Sequence, residues 1–300
     1  MSLFDMDQQP RFCTGISSAV LAVVVGLGLG LTPAAATAQS QWNVLLHASG
    51  LFYSGSQVKE DGYVAGFYGT YGTGWKHLVE VGATRTRINF LGGEQLQQSD
   101  LSAAYSLFGA RGSGRVGGHL VLSSDSLTDG GLVLFGGANV YKVGVWNVGG
   151  EVAWSSYPEY GDGLNVVQVA PTMGLTSTNA SRTRLVGVTL RGYYIHVSTE
   201  TGLGSQDFMS AEVAASFTSG PVTASGYAWG GEQAFGVRSA GFLVFNLSEL
   251  HTGGYGGGIR WVVSPRAALS AGVYIERFQD QDLSGDASER TFAISLGFTL

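Results

Sequence analysis

The sequence is poor in cysteine, charge and proline, and each shortage excludes a class of protein. Its one cysteine, Cys13, excludes a disulfide framework. Charged residues make up 13% of the 300 residues, whereas a typical soluble domain carries about 25%. The chain has 6 prolines and 47 glycines, which fits neither a collagen nor a disordered chain. The formal net charge of −6 argues against nucleic acid as a partner.

Long apolar runs are also missing after the first 38 residues, so the sequence offers no membrane-spanning helix there. The apolar run at 16–32 is followed by Pro33 and the A-x-A element at 36–38. This pattern predicts a secretory signal peptide over residues 1–38 and one exported domain over residues 39–300. Cys13 would be removed with the signal peptide. The alternative is an uncleaved N-terminal membrane anchor.

The end of the chain alternates between large apolar and small residues. The large ones are Phe292, Ile294, Leu296, Phe298 and Leu300. Alternation at period two predicts a strand with one apolar face. This stretch resembles the closing strand of bacterial outer-membrane β-barrels, although that strand usually ends in phenylalanine. The resemblance implies an all-β, closed antiparallel transmembrane barrel in the outer membrane. It also implies outer-membrane lipid and the barrel-assembly machinery as partners.

The same alternation recurs along the chain and gives 15 candidate strands. A single-chain bacterial barrel has an even number of strands. The expected alternation of short turns and longer loops fails between 222 and 252, where both 222–229 and 237–245 read as strands. We therefore predict 14 strands, with 12 or 16 as alternatives, and place the error in this region. A periplasmic β-sandwich is the soluble alternative.

The predicted inward faces carry mostly small residues and a few charged ones. The charged set is Glu80, Asp100, Glu151, Arg191, Glu212, Arg260 and Glu276. Small side chains do not fill a cylinder of this size. No predicted connection exceeds about ten residues, too short for an internal plug, so we expect water in the lumen. The excess of acids predicts a weak cation preference. The alternative is that these groups pair across the lumen, Arg191 with Glu212 for instance.

Three functions follow from this arrangement. The first is a small, non-specific channel for small polar solutes or ions. The second is a structural or assembly barrel that anchors or encloses an envelope protein. The third is a lipid-modifying enzyme, because His196 and Ser198 match the H-x-S spacing of outer-membrane lipid A deacylases, with Glu200 or Glu212 as the acid. We expect no enzyme activity, because Glu212 and His196 are predicted on opposite faces. We also predict no cofactor and no metal, since the other histidines lack ligand spacing.

Overall fold

The computed structural model describes residues 41–73, 76–179, 183–280 and 285–300. The predicted signal peptide at 1–38 lies outside the described residues. In the part of the chain that is described, no helix is long and apolar enough to cross a membrane.

Fourteen long antiparallel strands close into one barrel, which confirms the predicted fold and strand number. The strands are β1 Gln41–Ser54, β2 Lys59–Thr73, β3 His77–Phe90, β4 Gln95–Phe108, β5 Gly112–Ser123, β6 Leu132–Lys142, β7 Trp146–Tyr157, β8 Leu164–Thr178, β9 Arg184–Val197, β10 Asp207–Ser219, β11 Val222–Gln233, β12 Val237–Arg238, β13 Leu243–Val244, β14 Glu249–Ser264, β15 Ala267–Asp280 and β16 Asp286–Thr299. The short β12 and β13 pair only with each other. In the barrel, β11 therefore pairs with β14, and β16 pairs with β1 to close the ring. Closure leaves no unpaired sheet edge, as a membrane requires.

The closing strand β16 has the predicted two faces. Its apolar side chains point outward and are exposed: Phe292 53%, Ile294 56%, Leu296 40% and Phe298 37%, with Leu300 at 78% just beyond the strand. The side chains between them point inward, and Ser295 is 5% exposed. Large apolar residues are likewise exposed on the outer face of the other barrel strands. An apolar band of this kind is what lipid would cover.

The two ends of the barrel differ in the length of their connections. At the end that holds Gln41 and Thr299, which we call the near end, connections run from two residues (220–221) to five (179–183). At the opposite, far end they run from four residues (55–58) to fifteen (234–248). In outer-membrane barrels the short turns face the periplasm.

The fifteen-residue connection between β11 and β14 contradicts two sequence-based expectations. Residues 237–245 are not a barrel strand, and one connection does exceed ten residues. This segment, 234–248, folds into the lumen; we call it the strap. Within it, β12 and β13 form a small hairpin around a single 3₁₀ turn at Ser239–Gly241. Positive φ angles at Phe235, Ser239 and Ala240 turn the backbone sharply.

The reason for the wrong strand prediction is the burial of the strap. Its side chains are apolar because they pack inside the barrel, where Ala234 and Phe235 are fully buried. Hydrophobic periodicity distinguishes apolar from polar faces, but it does not distinguish contact with lipid from contact with a lumen wall.

Candidate functional site

The strap is anchored to one wall of the barrel through Arg238. This side chain is 2% exposed and forms an ion pair with Glu212 of β10. A second carboxylate, Glu276 of β15, lies 3.7 Å away (Nη1 to Oε1). The guanidinium also lies 4.9 Å from the centre of the Trp229 ring, a cation–π distance. Burial opposes the charge on Arg238, and the two neighbouring carboxylates compensate for it.

Glu276 is held in place for this contact by its own neighbours. Tyr227 donates its hydroxyl to Oε1 and Trp229 donates Nε1 to Oε2, each at 2.8 Å. The facing position on β14 is Gly254, where a Cβ atom would overlap both the Glu276 carboxylate and the Trp229 indole nitrogen. Glycine at this position therefore leaves the room that the carboxylate needs.

The strap is bound to the opposite wall by β5. Arg115 donates to the backbone oxygen of Ala240, and its Nε lies 2.8 Å from Glu80 Oε2. His119 contacts the oxygen of Gly241 through Nδ1 and Asp100 Oδ1 through Nε2, both at 3.0 Å. His119 therefore connects the strap backbone to Asp100 of β4.

Two amide side chains complete the attachment. Gln168 of β8 binds the backbone of Val237 twice, donating to its oxygen at 2.6 Å and accepting from its nitrogen at 2.8 Å. The Gln168 side chain thus makes the same pair of hydrogen bonds that the backbone of a neighbouring strand would make. Asn246 donates to Gln98 Oε1 at 2.8 Å, and Gln98 donates in turn to Asp100 at 2.9 Å. The strap thus contacts walls on both sides of the lumen.

Apolar packing seals the far half of the lumen around the strap. One cluster joins strap residues to the far-end parts of β7 to β10: Tyr157, Leu164, Val166, Ile195, Val197, Phe208, Ala234 and Phe235. A second joins the strap hairpin to β4, β6 and β7: Ala104, Val133, Phe135, Ala153, Val237 and Val244. Every side chain in the two clusters is at most 9% exposed. In this conformation the chain itself occupies the far half, and the expectation of a water-filled lumen is wrong there.

The near half of the lumen is different, because many of its inward side chains are small, polar and partly exposed. They include Asn43, Thr70, Thr189, Ser216, Thr223 and Ser225. Leu45 and Tyr68 on the same inner wall are buried. The exposure of the polar side chains means that solvent reaches the wall from the near end. We call this space the vestibule.

The seven charged residues predicted to line the lumen occupy distinct environments. Glu80, Asp100, Glu212 and Glu276 belong to the strap attachments described above. Arg191 lies 3.6 Å from Glu151 (Nη1 to Oε2) and donates Nε to Thr172 at 3.1 Å. Arg191 and Glu212 are cross-strand neighbours as expected. Their ion pairs, however, are with other residues: Arg191 pairs with Glu151, and Glu212 pairs with Arg238. Arg260 faces the vestibule. Whether any of the seven influences ion passage stays a prediction.

Sequence reasoning missed several inward residues, chiefly Lys59, Arg115, His119, Arg238 and Glu249. Arg115 and His119 could have been found from strand parity, because Val116 and Leu122 on the same strand are exposed. Arg238 gave no such signal, since its segment resembles a strand.

The proposed H-x-S pair does not form a catalytic arrangement. The His196 side chain is 46% exposed on the outer face, and its Nδ1 lies 3.0 Å from Asp207 Oδ1. The Ser198 hydroxyl instead accepts the backbone N–H of Asn165 at 2.9 Å. The acid beside the histidine is therefore Asp207, not Glu200 or Glu212, and His196 and Ser198 bond to separate partners.

No protein-family model matches the sequence, and no curated protein matches it either. Solved structures do resemble the fold. The CymD monoaromatic hydrocarbon channel aligns with a TM-score of 0.55 at 8% identity, over 87% of this chain and 88% of that one. The Pseudomonas putida toluene transporter TodX aligns with a TM-score of 0.50 at 7% identity, over 88% of this chain and 90% of that one. The chain therefore has the fold of the bacterial outer-membrane β-barrels.

Proposed function

We propose that the protein is an outer-membrane channel for small polar solutes or ions, with its near end in the periplasm and its far half closed by the strap. The observation that carries this proposal is the division of the lumen. One half is lined largely by partly exposed small polar side chains, and the other is filled by a single segment of fifteen residues.

The fold likeness to CymD and TodX supports a transport role in general terms, since those proteins are a hydrocarbon channel and a toluene transporter. The vestibule argues for a different solute here. Asn, Ser and Thr side chains offer hydrogen bonds, which favour polar solutes over hydrocarbons.

The strap is a removable obstruction, because the barrel does not depend on it for closure. Gln233 and His251 are cross-strand partners at the far end of β11 and β14. A short turn in place of residues 235–248 would therefore join the two strands without moving them.

Single-channel recording in planar bilayers tests the proposal. We expect small or infrequent conductance steps from the full-length protein and large, steady steps from the variant in which Gly-Asn-Gly replaces residues 235–248. Heat-dependent gel mobility and circular dichroism establish that both barrels are folded. A folded strap-shortened barrel that conducts no ions would refute the channel.

A further inference from the structure

We infer that the vestibule is an anion-binding site anchored by Arg260, and that the solute of the channel is a small carboxylate. That a carboxylate passes through the barrel rests on the proposed channel function. That an anion binds in the vestibule is argued from the residues of the near half alone.

The first observation is the state of Arg260 on β14. Its neighbours Ile259 and Trp261 are 58% and 51% exposed on the outer face, so Arg260 points inward. The other inward basic side chains of the described residues each bind a carboxylate: Lys59, Arg115, Arg191 and Arg238. Within the described ranges, Arg260 has no acid in ion-pair contact, and its Nε has no hydrogen-bond partner.

The second observation is a row of unpartnered polar groups beside it. Register places Arg260 opposite Ser270, Ser270 opposite Ser295, and Ser295 opposite His47, all on the inner wall. Ser270 is 1% exposed and Ser295 is 5% exposed. In the part of the chain described, neither hydroxyl has a hydrogen-bond partner, and neither ring nitrogen of His47 has one. Buried polar groups without partners are rare, because each costs free energy.

The chemistry of this row favours an anion. Guanidinium, hydroxyl and imidazole groups all donate hydrogen bonds, and the row contains no acid. Strands lie about 4.8 Å apart, so four neighbouring positions span roughly 14 Å. A carboxylate of a few carbon atoms would accept from Arg260 and a serine together, which is the strong charge-assisted arrangement.

The third observation is the charge at the mouth of the vestibule. The near-end connections and the strand ends beside them carry Lys76, Arg111, Lys142, Arg184 and Arg266. None of the near-end connections contains Asp or Glu in the sequence. The acids lie elsewhere, many of them in far-end loops such as 124–131 and 158–163. A basic rim around a cleft with low-dielectric walls raises the local concentration of anions.

The vestibule is thus proposed to favour anions, in place of the cation preference predicted from the sequence. That expectation counted acids against bases over the whole lumen. Four of the five acids in that count face Arg115, His119, Arg191 or Arg238 in the structure, and the fifth, Glu276, lies beside Arg238. The unmatched charge that faces the vestibule is positive.

Equilibrium binding tests the site without requiring conduction. Sodium succinate is titrated into the full-length protein in non-ionic detergent at constant ionic strength, and the heat is measured. We expect saturable binding that Arg260→Gln weakens at least about tenfold, while Arg277→Gln, on the outer face, leaves it unchanged. Absence of saturable heat from the wild type, or equal affinity in Arg260→Gln with its barrel folded, overturns the inference.

Reversal potentials separate the site from the channel. In a potassium chloride gradient, the strap-shortened barrel should be anion-selective, and Arg260→Gln should move its reversal potential toward zero. A cation-selective barrel overturns the inference even though the channel stands. Succinate binding in a barrel that conducts no ions upholds the site and refutes the channel.

Discussion

At the scale of single residues, the lumen shows how a small side chain makes room for a large network. Gly254 carries no function of its own, yet the carboxylate of Glu276 and the indole of Trp229 occupy the space that its side chain would take. Those two groups in turn contact Arg238. The attachment of the strap therefore depends on the lack of a side chain at position 254.

Replacing Gly254 with Val should destabilise the barrel by about 1–3 kcal/mol, because the new side chain displaces Glu276 and Trp229 from Arg238. Urea unfolding of the variant in detergent or lipid vesicles measures the loss. The matched control is Gly114→Ala on β5, where a Cβ atom meets nothing within 4 Å. An equal effect of the two substitutions would contradict the packing argument.

At the scale of elements, the strap is held by charge at two walls and by apolar contact between them. Arg238 binds Glu212 on one side, and Arg115 and His119 bind the strap backbone on the other. Each attachment uses buried charged groups. Removing one partner of such a pair leaves the other buried without compensation.

Replacing Arg238 with Ala should release the strap, because Glu212 is then left buried with no cation. We expect a loss of about 3–5 kcal/mol in stability, faster protease cleavage within 234–248, and more frequent conductance steps. Arg277→Ala on the outer face is the control for loss of an arginine. The double variant Arg238→Met with Glu212→Met should recover most of the stability. If it is as unstable as Arg238→Ala, the cost does not come from the stranded carboxylate.

The strap also marks the limit of what the sequence predicts. The barrel strands were readable because lipid and lumen impose opposite polarity on alternate residues, as in Phe292 to Thr299. The site was only partly readable. Glu212 and Glu276 could be placed inward from parity, but their partner Arg238 lies on a segment whose apolar pattern resembles a strand. Contacts between positions more than a hundred residues apart leave no local pattern to read.

At the scale of the whole molecule, the barrel is a cylinder with one sealed half and one open half. The described inner wall passes from apolar side chains such as Val133 and Ile195, fully buried, to partly exposed polar ones such as Ser216 and Thr189. The native sequence contains cysteine only at Cys13, so introduced cysteines report on this division without background from the barrel.

Single cysteines at Ser216 and Thr189 should react within minutes with a small charged thiol reagent added to the folded protein in detergent. A cysteine at Ala153, which is 7% exposed and belongs to the second apolar cluster with the strap hairpin, should react at least about a hundredfold more slowly. Thiol labelling followed by mass spectrometry measures the rates. The Ala153 cysteine should become reactive when the strap is shortened. Rapid labelling of all three positions in the full-length protein would show that the far half is not sealed.

The strap also dictates an order of events when the barrel forms. It leaves the wall between β11 and β14, and it bonds to residues far back in the chain: Arg115 and Ala240 are separated by 125 positions, Gln98 and Asn246 by 148. The last seam, between β16 and β1, comes later in the chain than all of these contacts. Once that seam has formed, the strap has only the far mouth through which to enter. The simplest assembly route is therefore one in which the open, curled sheet binds the strap first, and β16 then pairs with β1 to close the barrel around it.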